Sequence, residues 1–185
     1  GEQGYAFGED ASATGKDAYA FGDGTSADSA YSYAFGYGAQ TTGVDAYAYG
    51  ANANASGDYS YVFGYGAIGS GRDAYAFGED ASATGKDAYA FGDEASADSA
   101  YSYAFGYQSQ TLGEDAYAFG DDALASGSDA YAFGNDATAS AEDASAATAA
   151  ATATEEGKCP PASPLPPTPP PCFCPFRCMP CISMD

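Results

Sequence analysis

From Tyr5 to Ala144 the chain alternates small apolar residues with other types at every second position, and the alternation runs in a register of fourteen that repeats ten times without insertion. Counted from its tyrosine, each unit opens Tyr-Ala-Phe-Gly or a close variant. Tyrosine stands at position 1 in all ten units, from Tyr5 to Tyr131, and glycine at position 4 in all ten, from Gly8 to Gly134. The unit divides into halves of seven, each reading x-Ala-x-Ala-x-Gly-x, as in Asp17-Ala18-Tyr19-Ala20-Phe21-Gly22-Asp23 beside Asp10-Ala11-Ser12-Ala13-Thr14-Gly15-Lys16. Side chains alternate across a strand, so the alanines of both halves point to one face. Tyr and Phe of one half, and small polar residues of the other, point to the opposite face. Each unit therefore predicts two short strands and two turns, and a fixed short period predicts a solenoid. A helix is excluded: a glycine about every seventh residue costs roughly 1 kcal/mol each relative to alanine, and a period of two is the wrong one.

The second-half glycine is replaced by Ser29, Ser99 and Ala141. The first corner is thus expected to need a backbone shape that glycine adopts easily, and the second to be more tolerant. Residues Tyr5 to Asp23 recur identically as Tyr75 to Asp93, so five units form a seventy-residue block copied once. The fold expected is all-β, a parallel β-roll of two strands per coil over residues 1–144, closed by a degenerate coil or linker over 145–157 and followed by an extended Pro/Cys-rich tail over 158–185. An alanine interior is thin, and at one strand spacing of about 4.8 Å per coil, ten coils span about 48 Å.

The aromatic residues change the picture from fold to association. Tyr5, Tyr19, Tyr33, Tyr47, Tyr61, Tyr75, Tyr89, Tyr103, Tyr117 and Tyr131 form one outward column, and Phe7, Phe21, Phe35, Tyr49, Phe63, Phe77, Phe91, Phe105, Phe119 and Phe133 a second beside it. Two such columns exceed the few hundred Å² of contiguous apolar surface that a soluble monomer carries. Copies of the chain are expected to cover it, as a homo-oligomer or filament.

With 26 acidic against 5 basic residues and no histidine, the net charge is −21, and nucleic acid is excluded as a partner because nothing neutralises phosphates. The acids collect at turns: Asp17, Asp45, Asp73, Asp87, Asp115, Asp129 and Asp143 in one column, Asp10, Asp80, Asp122 and Asp136 in another. Asp there serves as a turn former and solubilising charge. No metal site or cofactor is assigned; Ca²⁺ shared between stacked carboxylates is the alternative reading of these columns. Catalysis is not expected: there is no histidine for general-base work and no serine in a nucleophile elbow. An ice-binding face is not expected either, since the outward column of the second strand mixes Ser12, Ser26, Asn54 and Leu124.

All ten prolines and all five cysteines lie between Cys159 and Cys181. Pro160 to Pro171 favours a polyproline II rod. Cys159, Cys172, Cys174, Cys178 and Cys181 are disulfide candidates in an oxidising, extracellular place, and the odd number invites a bridge between chains; Cys174-x₃-Cys178-x₂-Cys181 as a zinc site is the weaker alternative. Asn54-Ala55-Ser56 is a glycosylation sequon. The Ala/Thr-rich stretch Ala144 to Thr154 is too short and too polar to span a membrane. The chain opens in mid-repeat without an initiator Met, as a processed or partial product would.

The repeat Asp-Ala-Tyr-Ala-Phe-Gly-x-x-Ala-x-Ala-x-Gly resembles the head repeat of trimeric autotransporter adhesins, the YadA-like left-handed parallel β-roll, over residues 5 to about 144. That resemblance implies a trimer of rolls, with the family's aliphatic pair replaced by Tyr19/Phe21 and their equivalents; the Pro/Cys tail has no counterpart in it. The tail resembles, over about a dozen residues, the hydroxyproline-rich glycoproteins of algal and plant walls, which implies Ser163 and Thr168 as glycosylation candidates. The function expected first is an extracellular structural subunit of a fibre or appendage, self-associating through the aromatic columns, with the tail linking or anchoring subunits. Second is a surface adhesin or carbohydrate-binding head whose partners are surface glycans.

Overall fold

The computed structural model describes residues 2–147 and the strand Thr152–Ala153. Strands alternate between two lengths. Three-residue strands such as β1 (Tyr5–Phe7), β3 (Tyr19–Phe21) and β11 (Tyr75–Phe77) hold positions 1–3 of the unit; two-residue strands such as β2 (Ser12–Ala13), β4 (Ser26–Ala27) and β8 (Asn54–Ala55) hold positions 8 and 9. The odd strands form one parallel sheet of eleven, ending at β21 (Ser145–Ala146), and the even strands a second parallel sheet of eleven, ending at β22 (Thr152–Ala153). Register is strictly fourteen: Tyr5 pairs with Tyr19, Ala6 with Ala20 and Phe7 with Phe21. The repeat thus winds as an all-β parallel solenoid, with β21 and β22 continuing both sheets past the last tyrosine-bearing unit.

The core is an alanine lattice. Positions 2, 7, 9 and 14 point inward, and Ala74, Ala76, Ala81 and Ala83 of one coil are fully buried, as are their equivalents from Ala18 onward; in the first coil Ala6 is exposed and Ala11 and Ala13 are half-buried. Small side chains let the two sheets approach closely, so order along the axis rests on the backbone ladder and dense methyl contacts rather than on a thick apolar centre. Buried Ser or Thr takes the place of alanine at Thr25, Ser32, Thr41, Ser60, Ser102, Ser109 and Thr111, and one further coil exchanges two alanines for a pair that compensates within itself. Val62 replaces the usual alanine at position 2, Gly69 replaces the usual alanine at position 9, and a Cβ built on Gly69 would lie 2.5 Å from Val62 Cγ2. The valine methyl occupies the space that the glycine vacates.

The two corners differ in what they ask of the chain. At the first, the position-4 glycines hold φ between 119° and 148°, a region closed to L side chains. The residue two further on sits in the left-handed region, as at Asp10 (φ 56°), Asn52 (φ 58°) and Asp80 (φ 53°); Asp and Asn tolerate it through their short polar side chains. At the second corner the position-11 glycine has ordinary φ, and what excludes a side chain is contact with the backbone of the next coil: the Cβ of Gly43 would run into the carbonyl of Gly57. Proximity, unlike φ, can be relieved by a small shift. In the glycine coils the amides of positions 10 and 11 share one carbonyl, as Thr14 and Gly15 share Ala27 O at 3.0 and 3.3 Å. In the serine coils the position-10 bond stays, from Asp28 to Thr41 O at 3.0 Å, and the Ser29 hydroxyl donates to Thr42 O instead. The greater tolerance expected of the second corner has this cause.

Candidate binding face

The outer face of the odd-strand sheet carries the aromatic side chains, and its geometry follows directly from the register. Every column tyrosine stacks on the tyrosine fourteen residues along, with ring centroids 4.8 Å apart and 4° between planes for Tyr33 and Tyr47, and 4.8 Å and 2° for Tyr75 and Tyr89. The second column behaves alike: Phe77 and Phe91 lie 4.8 Å apart, and Phe105 and Phe119 4.9 Å. The ladder runs unbroken from Tyr5 to Tyr131 and from Phe7 to Phe133. All twenty residues named as interface candidates therefore share one sheet face. Each interior ring is covered above and below by its neighbours and presents mainly its edge; exposure rises at both ends of the ladder, to 50% and 60% for Tyr5 and Phe7 and to 40% and 43% for Tyr131 and Phe133. Taken one repeat at a time the columns are bare apolar surface; stacked at this spacing, the rings bury one another's faces.

Burial and proximity leave an electrostatic mark. The phenols of Tyr47, Tyr75, Tyr89 and Tyr117 are pushed above the ordinary value, first by burial, then by the neighbouring phenols of the column and by aspartates at the turns.

A second set of tyrosines borders the ladder. Tyr31, Tyr59 and Tyr101 take the place of aspartate at position 13 and hold φ of 58°, 58° and 56°, a strained conformation for a bulky residue. Two compensations accompany them. The following residue changes from Ala to Ser, and the hydroxyls of Ser32, Ser60 and Ser102 donate to the carbonyls of Ser29, Gly57 and Ser99 at 2.6 to 2.7 Å. A cation lies near each ring: Lys16 over Tyr31 at 6.0 Å, Arg72 over Tyr59 at 5.8 Å, Lys86 over Tyr101 at 4.9 Å. Lys86 Nζ also donates to the Tyr101 hydroxyl at 2.8 Å, and this bond, with that to Asp87, raises its pKa. The recurring Tyr-Ser pair was the signal available in the sequence.

The acidic residues divide into two kinds of work. The aspartates of the two expected columns are the left-handed turn residues, and Asp73 and Asp87 pair with Arg72 and Lys86 at 3.3 and 3.4 Å. Other carboxylates reach across to the preceding coil: Asp23 accepts the Glu9 amide at 2.9 Å, Asp58 the Val44 amide at 2.8 Å, and Asp93 the Glu79 amide at 3.0 Å. Asp28 and Asp98 accept the hydroxyls of Thr14 and Thr84 at 2.9 and 3.0 Å. Among the described residues, no three acidic or cysteine side chains converge as a metal site. Asn54 lies in β8, in the outward column between Gln40 and Ile68, half-buried, with its Oδ1 enclosed and unpartnered among the described residues. Cys159, Cys172, Cys174, Cys178, Cys181, Ser163 and Thr168 lie outside the described residues.

The sequence matches the YadA head domain repeat, in two-copy form, over residues 1–25, 13–39, 27–53, 42–67, 70–95, 83–109, 97–123 and 125–147. The chain belongs to the YadA head repeat family. A solved structure, the collagen-binding domain of the Yersinia adhesin YadA, is similar in fold, with a TM-score of 0.54 and 24% identity over 82% of this chain and 74% of that one. Among curated protein sequences none shows significant similarity to the chain. Within this YadA-type roll, the aromatic ladder occupies the outward positions of the three-residue strands, and no helix among the described residues is long and apolar enough to cross a membrane.

Proposed function

We propose that the chain is the head of a cell-surface adhesin, non-enzymatic, presenting its outer face to an extended macromolecular partner. The observation that supports it most is the run of YadA head repeats along nearly the whole roll. Membership in an adhesin-head family places this reading ahead of the fibre subunit, which the aromatic columns alone favour. The long regular face suits such a role physically, because one short contact repeated coil after coil multiplies weak interactions into avidity. The YadA domain similar in fold is a collagen-binding domain, and a triple-helical collagen is accordingly the first partner to try; surface glycans, which stack on tyrosine faces, are the second. Displayed on the surface of a cell that lacks adhesins, the chain is expected to confer adherence to collagen-coated or glycan-coated wells. Adherence equal to that of undecorated cells on both coatings sinks the adhesin reading.

The second reading keeps the structural subunit, with copies joined through the aromatic ladder as a trimer or filament. It draws on the continuity of the ladder from Tyr5 to Tyr131 and from Phe7 to Phe133. Electron micrographs of the purified chain are expected to show rods or filaments on this reading; discrete single rolls at every concentration contradict it.

A further inference from the structure

The phenylalanine edge of the ladder is acidic in most coils and uncharged in three consecutive ones. Positions 5 and 6 hold Glu9 and Asp10 in the first coil, Asp23 in the second, Glu79 and Asp80 in the sixth, and Asp93 and Glu94 in the seventh. The third, fourth and fifth coils hold Tyr37-Gly38, Ala51-Asn52 and Tyr65-Gly66 instead. These coils meet in register, with the Asn52 amide donating to Tyr37 O at 2.8 Å and the Gly66 amide to Ala51 O at 3.0 Å. Ala51 is thus the low point of a notch between two tyrosines that stand two strand spacings, about 9.6 Å, apart.

Tyr37 and Tyr65 are 68% and 55% exposed. They stack on no other ring among the described residues, whereas Tyr49 beside them has its faces taken by Phe35 and Phe63 at 4.7 and 4.8 Å. Tyr49 also stands where the other nine coils carry phenylalanine, so the one hydroxyl of that column lies two residues from Ala51. Asn52 is exposed, and its Oδ1 lies where it would meet a Cβ on Gly38 at 2.7 Å. The fold requires none of these choices. Seventy residues along, the copied block pairs the same strands in the same register with Phe119, Asp121, Asp122 and Asn135 in place of Tyr49, Ala51, Asn52 and Tyr65; Tyr37 alone keeps a tyrosine counterpart, Tyr107.

We propose that Tyr37, Tyr49, Ala51, Asn52 and Tyr65 form a subsite for one neutral pyranose ring of a glycan. Exposed aromatic rings on both sides offer apolar surface to the C–H faces of the sugar, which the edge-on ladder does not. Its hydroxyls need partners, because a polar group desolvated without one is costly, and three phenols and a carboxamide at the rim both donate and accept. Width selects the ring type. A flat ring touching both walls at about 3.5 Å takes up about 7 Å and leaves the notch loose, while a chair-form ring, with atoms above and below its mean plane, takes up more of the spacing. Charge selects the sugar: the notch supplies neither carboxylate nor cation, and Asp23 on one side with Glu79 and Asp80 on the other repels an acidic one. The subsite gives a chemistry to the glycan partner of the adhesin reading, and its biological role rests on that reading.

Titration of the methyl pyranosides of glucose, galactose and mannose into the full chain, with cysteines reduced and tyrosine rings isotopically labelled, tests this. At least one glycoside is expected to shift the ring signals of Tyr37 and Tyr65 along a single saturable curve. The Tyr107 signal is expected to stay in place, because its position-5 neighbours are Asp93 and Asp121. Ala51→Asp, which installs the residue that the copied block carries as Asp121, is expected to weaken binding about tenfold or more by putting a carboxylate against the sugar. Tyr49→Phe, which matches Phe119, is expected to weaken it about fivefold, the worth of one neutral hydrogen bond. Circular dichroism and unchanged ladder signals verify the fold of both variants. No saturable shift with any of the three glycosides overturns the subsite. So do equal shifts at Tyr107 and binding indifferent to Ala51→Asp. Tighter binding of methyl glucuronide, or of phenol, overturns the assignment to a neutral sugar. Saturable binding in a chain that confers no adherence keeps the subsite and sinks the adhesin reading; adherence with Tyr37 and Tyr65 silent does the reverse.

Discussion

The sharpest energetic test lies in the coil that exchanges an alanine pair for Val62 and Gly69. Replacing Val62 by alanine removes two buried carbons, about 1.6 kcal/mol of transfer free energy, and leaves a void beside Gly69 that brings the cost to about 2 to 3 kcal/mol. Replacing Gly69 by alanine places a Cβ 2.5 Å from Val62 Cγ2, an overpacking cost of about 1 to 3 kcal/mol, only partly offset by the gain of about 0.4 to 1 kcal/mol from a stiffer unfolded chain. Together the two substitutions recreate the alanine pair that the next coil carries as Ala76 and Ala83, so the double variant should fall within about 1 kcal/mol of the parent. Guanidinium titrations followed by circular dichroism, fitted with a nearest-neighbour scheme suited to a repeat array, give the three free energies. The expected coupling is about 3 kcal/mol, far above the few tenths seen between independent sites. Additive losses would mean that the valine and glycine do not share one volume, and the close packing of the alanine core would lose its support.

Position 4 is expected to be intolerant and position 6 permissive within the same corner. Gly22→Ala, at φ 129° with its Cβ 2.7 Å from Gly36 O, should cost at least about 2 kcal/mol, while Gly24→Asn, at φ 66° with open space around it, should be nearly neutral; equal thermal midpoints contradict the corner geometry. In the ladder, Tyr75→Ala breaks two stacked pairs and Tyr5→Ala one, so at about 0.5 to 1.5 kcal/mol per pair the interior change should cost about twice as much, as denaturant midpoints will show. The raised pKa of Tyr47, Tyr75, Tyr89 and Tyr117 above the ordinary 10.0 fixes the direction of alkaline behaviour. The unfolded chain gives up these protons first, so the stability the four contribute is complete below about pH 10 and is lost as pH rises through the folded values. Thermal melts between pH 8 and 12, with phenolate absorbance recorded alongside, should show the two falling together; a midpoint flat through pH 11 contradicts the burial of the ladder.

Much of this architecture was legible in the sequence because a solenoid repeats its constraints. Glycine at position 4 marks the same φ ten times over, and alanine at inward positions marks the same thin interior, so period, strand placement and the family resemblance all read from Tyr5 onward. What escaped depended on contacts between coils rather than within one. Val62 and Gly69 look like two unrelated departures until the sheets are brought face to face. Ser29 and Ser99 mark the second corner as the tolerant one, but do not show that what it asks for is clearance from the next coil. The column rings read as bare apolar surface because a single repeat cannot show that its successor stacks on it at 4.8 Å. Tyr31, Tyr59 and Tyr101 read as interruptions of an aspartate column; only the folded corner shows Ser32, Ser60 and Ser102 supporting them and Lys16, Arg72 and Lys86 lying beside the rings.

The claim beneath the rest is that residues fourteen apart sit directly above one another along a single roll. Nuclear Overhauser contacts between aromatic rings in a sample labelled only at tyrosine measure this without intermediaries. The account predicts a contact for every successive pair from Tyr5–Tyr19 to Tyr117–Tyr131, and none between column tyrosines twenty-eight residues apart. Absence of the fourteen-residue contacts, with the chain folded by circular dichroism, would contradict it.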